Sequence, residues 1–156
     1  NVRFLRTGVE KLQQYFQPGE ISEIWITFPD PFVKTKQAKH RLTAPPFQAL
    51  YSTLLTPNGS LHLKTDDQEF FEFTYNVVIR VGGVIDEKII DLCHQNVTDP
   101  KLLIETTYEK RHKAAGKHIH YLRWHFIQPV KISSSNTPLP GGRYSLDDLV
   151  PDDGAQ

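Results

Sequence analysis

Cysteine occurs once, at Cys93, and methionine not at all. A single cysteine excludes an internal disulfide and any cysteine-rich metal site, and it suits a reducing cytosol. The missing methionine leads us to expect a natural polypeptide that starts before Asn1. No apolar run approaches the ~18–20 residues of a membrane span, and no signal peptide is visible. No candidate strand is followed by a glycine-rich phosphate or dinucleotide loop. Acidic residues are missing from residues 31–65, although 18 Asp and Glu balance 18 Lys and Arg over the chain. Zero net charge excludes a generally basic or acidic surface but not a local one. The balancing acids include Asp147, Asp148, Asp152 and Asp153 near the C-terminal end.

What is present centres on residues 23–42. Ile24, Trp25, Ile26, Thr27 and Phe28 are apolar, β-branched or aromatic almost without alternation. Such a run fits a parallel strand covered on both faces. Pro29 and Pro31 then end the ladder, because neither can donate a backbone N–H. Asp30 is left between them at the carboxyl end of the strand, where ligands gather in open α/β sheets. Lys34, Lys36, Lys39, His40 and Arg41 follow with no acid to oppose them.

The length of 156 residues is that of one domain. Residues 1–5 are apolar enough for a strand, and Val9, Leu12 and Phe16 fall at helical spacing. After the strand over residues 22–28, Thr43 has the chemistry of an N-cap, with Pro45 and Pro46 in a first helical turn. That helix carries Phe47, Leu50, Tyr51, Leu54 and Leu55 and stops at Pro57-Asn58-Gly59. A strand over 60–65 follows, then a helix capped by Asp66 or Asp67 and broken at Gly82-Gly83. A strand over 84–92 and a basic helix over 107–115 lead to a last strand over 118–127. Alternation of this kind argues for a parallel sheet with helices on both faces and an antiparallel edge from the last strands. Residues 128–156, rich in Pro, Ser, Gly and Asp, read as a tail.

Each chemical candidate has a second reading. Asp30 is either a carboxylate held at a cleft rim or an Asx-turn residue between two prolines. The cations from Lys34 to Arg41 are either phosphate contacts or a solvated loop. Asp66 could share a cleft with Asp30, or serve as a helix cap. Thr106-Thr-Tyr-Glu109 fits a capping box, with Glu109 reaching back to the cap. His112, His118, His120 and His125 invite a metal reading, and His118 and His120 would face one side of a strand. No cysteine or carboxylate lies at a recognised ligand spacing, so a histidine-bearing basic surface without metal is expected.

Four of these stretches, in order, carry a resemblance. They are Phe28-Pro-Asp-Pro-Phe-x-Lys34, the basic loop ending Lys39-His-Arg-Leu42, Leu63-Lys-Thr-Asp66, and Thr106-x-Tyr-Glu109 with Gly116. The chain resembles the bacterial tRNA (guanine-N7-)-methyltransferases over residues 1 to about 126. The resemblance implies a Rossmann-like class I methyltransferase sheet, mostly parallel with an antiparallel edge and lacking its N-terminal strands. Residues 1–127 would be the C-terminal part of that domain. It implies S-adenosylmethionine as cofactor and guanine N7 in the tRNA variable loop as acceptor. By the same resemblance Asp30 is catalytic and cofactor-binding. Lys34, Asp66, Thr106, Thr107, Tyr108 and Glu109 bind substrate, and Lys36, Gln37, Ala38, Lys39, His40 and Arg41 bind RNA. Gly8 stands at a cofactor position where the family commonly has Asp, and Phe32 where it commonly has Trp. The family's glycine-rich cofactor loop would lie before Asn1, so this chain alone is expected to be inactive. Expected partners are tRNA and, through an exposed apolar sheet edge, at most a second copy in a homodimer; no membrane and no metal are expected. The rivals are a non-catalytic RNA-binding module and a metal-dependent nuclease using Asp30, Asp66 and Asp67.

Overall fold

The computed structural model describes residues 2–131, apart from the side chains of Thr35 and Lys36. A 3-10 helix over Val9–Gln14 comes first. Then follow β1 (Ile21–Thr27), a second 3-10 helix (Thr35–His40), α1 (Pro45–Leu54), β2 (Leu55–Thr65), α2 (Gln68–Arg80), β3 (Val84–Ile89), α3 (Thr107–Ala114) and β4 (His120–His125). The strands form one sheet in the order β1-β2-β4-β3. β1 and β2 are parallel, and β4 runs antiparallel to β2 and β3. Three of four strands therefore share a direction, as expected of a mostly parallel α/β sheet. The antiparallel strand is inserted between β2 and β3.

Both faces of the sheet are covered, by different means. On one face Ile26, Leu61, Leu63, Leu122 and Trp124 pack against Tyr51 of α1 and Phe70, Phe71 and Val78 of α2. On the other, Tyr121 and Ile89 pack with Leu92, Leu102 and Ile119 from the connections around α3, and Trp25 joins them. β2 is buried on both sides, so His62 and Lys64 are as enclosed as Leu61 and Leu63. An irregularity between Ile85 and Glu87 lets β3 serve both clusters. The extra residue reverses the period-two alternation, so Ile85 faces one layer and Ile89 the other.

Several elements differ from the sequence reading. Residues 2–7 form no strand, and Phe4 is 97% exposed. A strand needs a hydrogen-bonded neighbour, and β1 pairs only with β2. β1 is covered on both faces, by Ile24 and Ile26 on one and Trp25 on the other, yet it is an edge strand among the described residues. Ala44, not Thr43, is the N-cap of α1. The Thr43 hydroxyl instead meets that of Thr74 in α2 at 2.7 Å. α1 stops at Leu54, and β2 begins at once. Residues 56–59 then bulge where the pairing jumps from Ile21 opposite Leu55 to Glu23 opposite Ser60. Gly59 suits that bulge because a Cβ there would come within 3.1 Å of the Ser22 carbonyl oxygen. Of the expected tail, Val130 docks on α1, its N–H donating to Ser52 Oγ at 2.8 Å; residues 132–156 lie outside the described residues.

Candidate functional site

At the end of β1 the backbone takes an unusual course. Phe28 and Phe32 both adopt positive φ, 48° and 42°, on either side of Pro29-Asp30-Pro31. An aromatic residue in the left-handed region costs on the order of 1–3 kcal/mol and persists only where its surroundings impose it. Here the Phe28 N–H donates to the Lys64 carbonyl at 2.8 Å, and Asp30 Oδ1 accepts from the Phe32 N–H at 3.0 Å. The Asx-turn reading of Asp30 is thus realised. The carboxylate nevertheless stays exposed at the sheet's carboxyl end, so the turn fixes it without consuming it.

The basic segment after this turn is a 3-10 helix with two unlike sides. Lys34, Gln37, Lys39 and His40 are exposed, while Ala38 and Arg41 are buried. The Lys34 carbonyl accepts from the Gln37 N–H. His40 packs against Phe32 at 5.9 Å between ring centroids. Arg41 is committed within the chain. Its Nε donates to the Pro31 carbonyl at 2.9 Å, its Nη2 meets the Phe32 carbonyl and Glu69, and its guanidinium lies 4.4 Å from the Phe73 ring centre. It fixes the turn that carries Asp30. The Lys36 side chain lies outside the described residues.

The end of β2 is built on a buried ion pair. Lys64 Nζ lies 2.7 Å from Glu109 Oε2, with the two side chains 3% and 0% exposed. Lys64 also donates to the carbonyls of Leu102 and Ile104. One ammonium therefore ties β2 to α3 and to the loop before it. Thr106 caps α3, its Oγ1 accepting from the Glu109 N–H at 3.1 Å. The expected reciprocal half of a capping box is replaced, because the Glu109 carboxylate turns inward to Lys64 and Lys113. Two residues past Lys64, Asp66 sits 2.5 Å from Lys117 Nζ and 3.2 Å from His112 Nδ1. Burial acts to raise the Asp66 pKa, but the hydrogen bond from Lys117, a backbone hydrogen bond and the neighbouring His112 and Lys117 outweigh it and hold the carboxyl below its usual range. Asp67 is the cap of α2, accepting from the Phe70 N–H at 2.7 Å.

These parts meet. Phe28 stacks on His112 with centroids 5.8 Å apart and planes 9° apart, and Tyr108 stacks on the same ring at 6.1 Å. His112 in turn contacts Asp66. The Asp30 turn, Asp66 and the 106–109 segment thus adjoin at the carboxyl ends of two neighbouring parallel strands. Thr107 and Tyr108 are exposed there. Gly8 is also exposed, just before the first 3-10 helix, and its carbonyl accepts from the Lys11 N–H. An exposed carboxylate, the exposed lysines that follow it in the chain and the exposed Tyr108 ring can together take a polyanion and orient a planar ring with N–H donors.

Sequence reasoning missed Lys64, His112 and Lys117 as members of this site. Lys64 carried the available signal, since a cation inside a buried strand requires an anion. The histidines also differ from expectation. His120 is buried against Phe71, with centroids 5.0 Å apart, whereas His118 precedes β4 and turns outward. The two do not share a face, because strand alternation begins only at His120.

Similarity to known proteins follows the same segments. A family model described as a putative methyltransferase matches residues 1–122. The chain is similar to a tRNA (guanine-N(7)-)-methyltransferase of Bacteroides thetaiotaomicron, 39% identical over 130 residues covering 82% of this chain and 50% of the relative. It is 40% identical over 126 residues to the protein of that name from Christiangramia forsetii, covering 80% and 56%. For Geobacillus kaustophilus the identity is 36% over 134 residues, covering 86% and 59%. The chain spans about half the length of the curated relatives it matches.

Proposed function

Because the chain belongs to the putative methyltransferase family, we propose that residues 1–127 form the C-terminal part of the catalytic domain of a tRNA (guanine-N7)-methyltransferase. The observation that supports this is the aromatic contact from Phe28, at the head of the Asp30 turn, through His112 to Tyr108 and Asp66, at the ends of β1 and β2. Those stretches also carry the resemblance. The methyl donor is S-adenosylmethionine, which when bound supplies a methyl group activated by a sulfonium centre. The donor set fits such a group, since Asp30 presents an exposed carboxylate suited to a cation.

Guanine N7 has a free lone pair, so no residue has to remove a proton. When bound, the donor would supply its methyl group to that lone pair and leave as the thioether, and the methylated guanine would carry a positive charge beside Asp30. Asp30 accepts hydrogen bonds from the guanine N1–H and N2–H₂ and stabilises that developing charge. The remaining contribution is alignment. Arg41 and the two strained phenylalanines hold the Asp30 turn, and Lys64 holds Glu109 and the start of α3. Asp66, Thr106, Thr107 and Tyr108 border the guanosine. Lys34, Lys39 and His40 face the RNA backbone, in the variable loop of a cytoplasmic tRNA.

The whole protein that carries this chain, incubated with labelled S-adenosylmethionine and unmodified tRNA, should yield 7-methylguanosine in the variable loop on nucleoside mapping. Binding of tRNA without any transfer would instead make this an RNA-binding module.

A further inference from the structure

A second cluster lies at the same end of the sheet, around the exit of β3. Asp91 follows β3 by two residues, and His118 precedes β4 by two. Their placement is fixed by their neighbours. Leu92 and Ile119 are buried in one apolar cluster, and the Leu92 N–H donates to the Ile119 carbonyl at 2.8 Å. Burying those two residues leaves His118 turned outward beside Asp91, whose side chain is 16% exposed. The Cys93 N–H donates to Asp91 Oδ1 at 2.9 Å and orients the carboxylate. Oδ2 then lies 2.5 Å from Nδ1 of His94 and 2.5 Å from Nδ1 of His118.

Two ring nitrogens, 24 positions apart in the chain, aim at one carboxylate oxygen, and the three donor atoms lie within 4.8 Å of one another. Folding does not require this. The His94 and His118 side chains are 78% and 64% exposed, and contacts from such exposed side chains contribute little to stability. Two imidazoles and a carboxylate are the donors that zinc takes. The hydrogen bond on Oδ1 is the outer support that a ligating carboxylate ordinarily has. We propose that Asp91, His94 and His118 bind a divalent transition-metal ion of the zinc class, with water completing the coordination.

Bound there, the ion would clamp the exit of β3 to the entry of β4. Lys117, next to His118, holds Asp66, so the clamp would steady one wall of the proposed substrate site. No step of methyl transfer passes through the metal. The inference is independent of the methyltransferase reading, since it concerns binding alone.

Calorimetric titration of the metal-stripped protein with zinc ion tests it, with cobalt(II) absorption as a second readout. We expect one ion per chain, tetrahedral-type cobalt bands, and a rise in melting temperature with zinc. His94→Ala, His118→Ala and Asp91→Asn should each weaken binding at least about tenfold, since losing even an outer partner of a ligand costs about 10–100-fold. His125→Ala is the control, because His125 pairs with Asp86 alone at 2.9 Å. Circular dichroism verifies that each variant is folded. Absence of saturable zinc binding, or equal affinity in His118→Ala and His125→Ala, would overturn the proposal and leave only adventitious surface histidines.

Discussion

Lys64 shows how a single buried residue can organise a candidate site without reaching its surface. Its ammonium is held by one carboxylate and two carbonyls, all from the segment around the start of α3. Lys64→Met should destabilise the fold by up to about 3–5 kcal/mol, because it leaves the buried Glu109 carboxylate with only the longer contact to Lys113 at 3.4 Å. Adding Glu109→Leu should recover much of that loss, since an apolar pair of similar volume is often neutral; urea unfolding midpoints of the single and double variants decide this. His62, two positions earlier, makes a pH prediction. Burial, chiefly, lowers its pKa from 6.5 to about 4, with Glu23 opposing and Arg123 and Lys101 adding to the shift. Its ring stacks on Trp25 at 4.0 Å and meets Tyr121 Oη and Ser60 Oγ. The unfolded chain binds the proton first as pH falls, so this stability is complete above about pH 6.5 and is lost toward pH 4, by up to about 3 kcal/mol. In His62→Gln the dependence of unfolding free energy on pH should flatten across that window. Legibility at this scale was uneven. Asp30 could be found because two prolines isolate it, but the inward turn of Lys64, Arg41 and Glu109 depends on partners 45, 28 and 45 positions away.

Among the elements, the types and order of the α-helices and strands from β1 onward could be read from local pattern, whereas the strand expected over residues 1–5 did not form. Both faces of β2 are buried, so Ser60 to Thr65 was readable from Leu61 and Leu63 alone, while the pairing of β4 between β2 and β3 had no local signature. Strand order is set by tertiary packing, and period-two patterns do not name their neighbours. Caps illustrate the same limit. Asp67 and Thr106 cap as their residue types imply, with side chains accepting from the third N–H of each helix. Thr43 has the same chemistry, yet its hydroxyl serves the contact between α1's entry and α2. Asp67→Ala should therefore cost about 1 kcal/mol, measured as a lowered denaturation midpoint, without altering the Asp66 contacts to Lys117 and His112. The stretch expected as a basic loop is a 3-10 helix. Its alternation of exposed Lys39 with buried Ala38 and Arg41 became visible only once Pro31 and Phe32 were placed against it.

For the whole molecule, a net charge of zero conceals a division of labour. The acid-free stretch over residues 31–65 supplies the cations of the 3-10 helix and Lys64, while the carboxylates that matter project from strand ends and the start of α3. The α/β class was legible because helices and strands alternate, and it is this alternation that points a candidate site to the carboxyl ends. The aromatic link from Phe28 through His112 to Asp66 was not, because it joins three separate elements. The central claim is that the carboxylate at the end of β1 acts on the guanine during transfer and does not hold the RNA. Asp30→Ala in the whole protein, with methyl transfer and tRNA affinity measured side by side, tests it most directly. The account predicts transfer reduced by about 10²-fold or more with tRNA affinity unchanged. Near-normal turnover in that variant, or a loss of tRNA affinity that accounts for the whole defect, would contradict it.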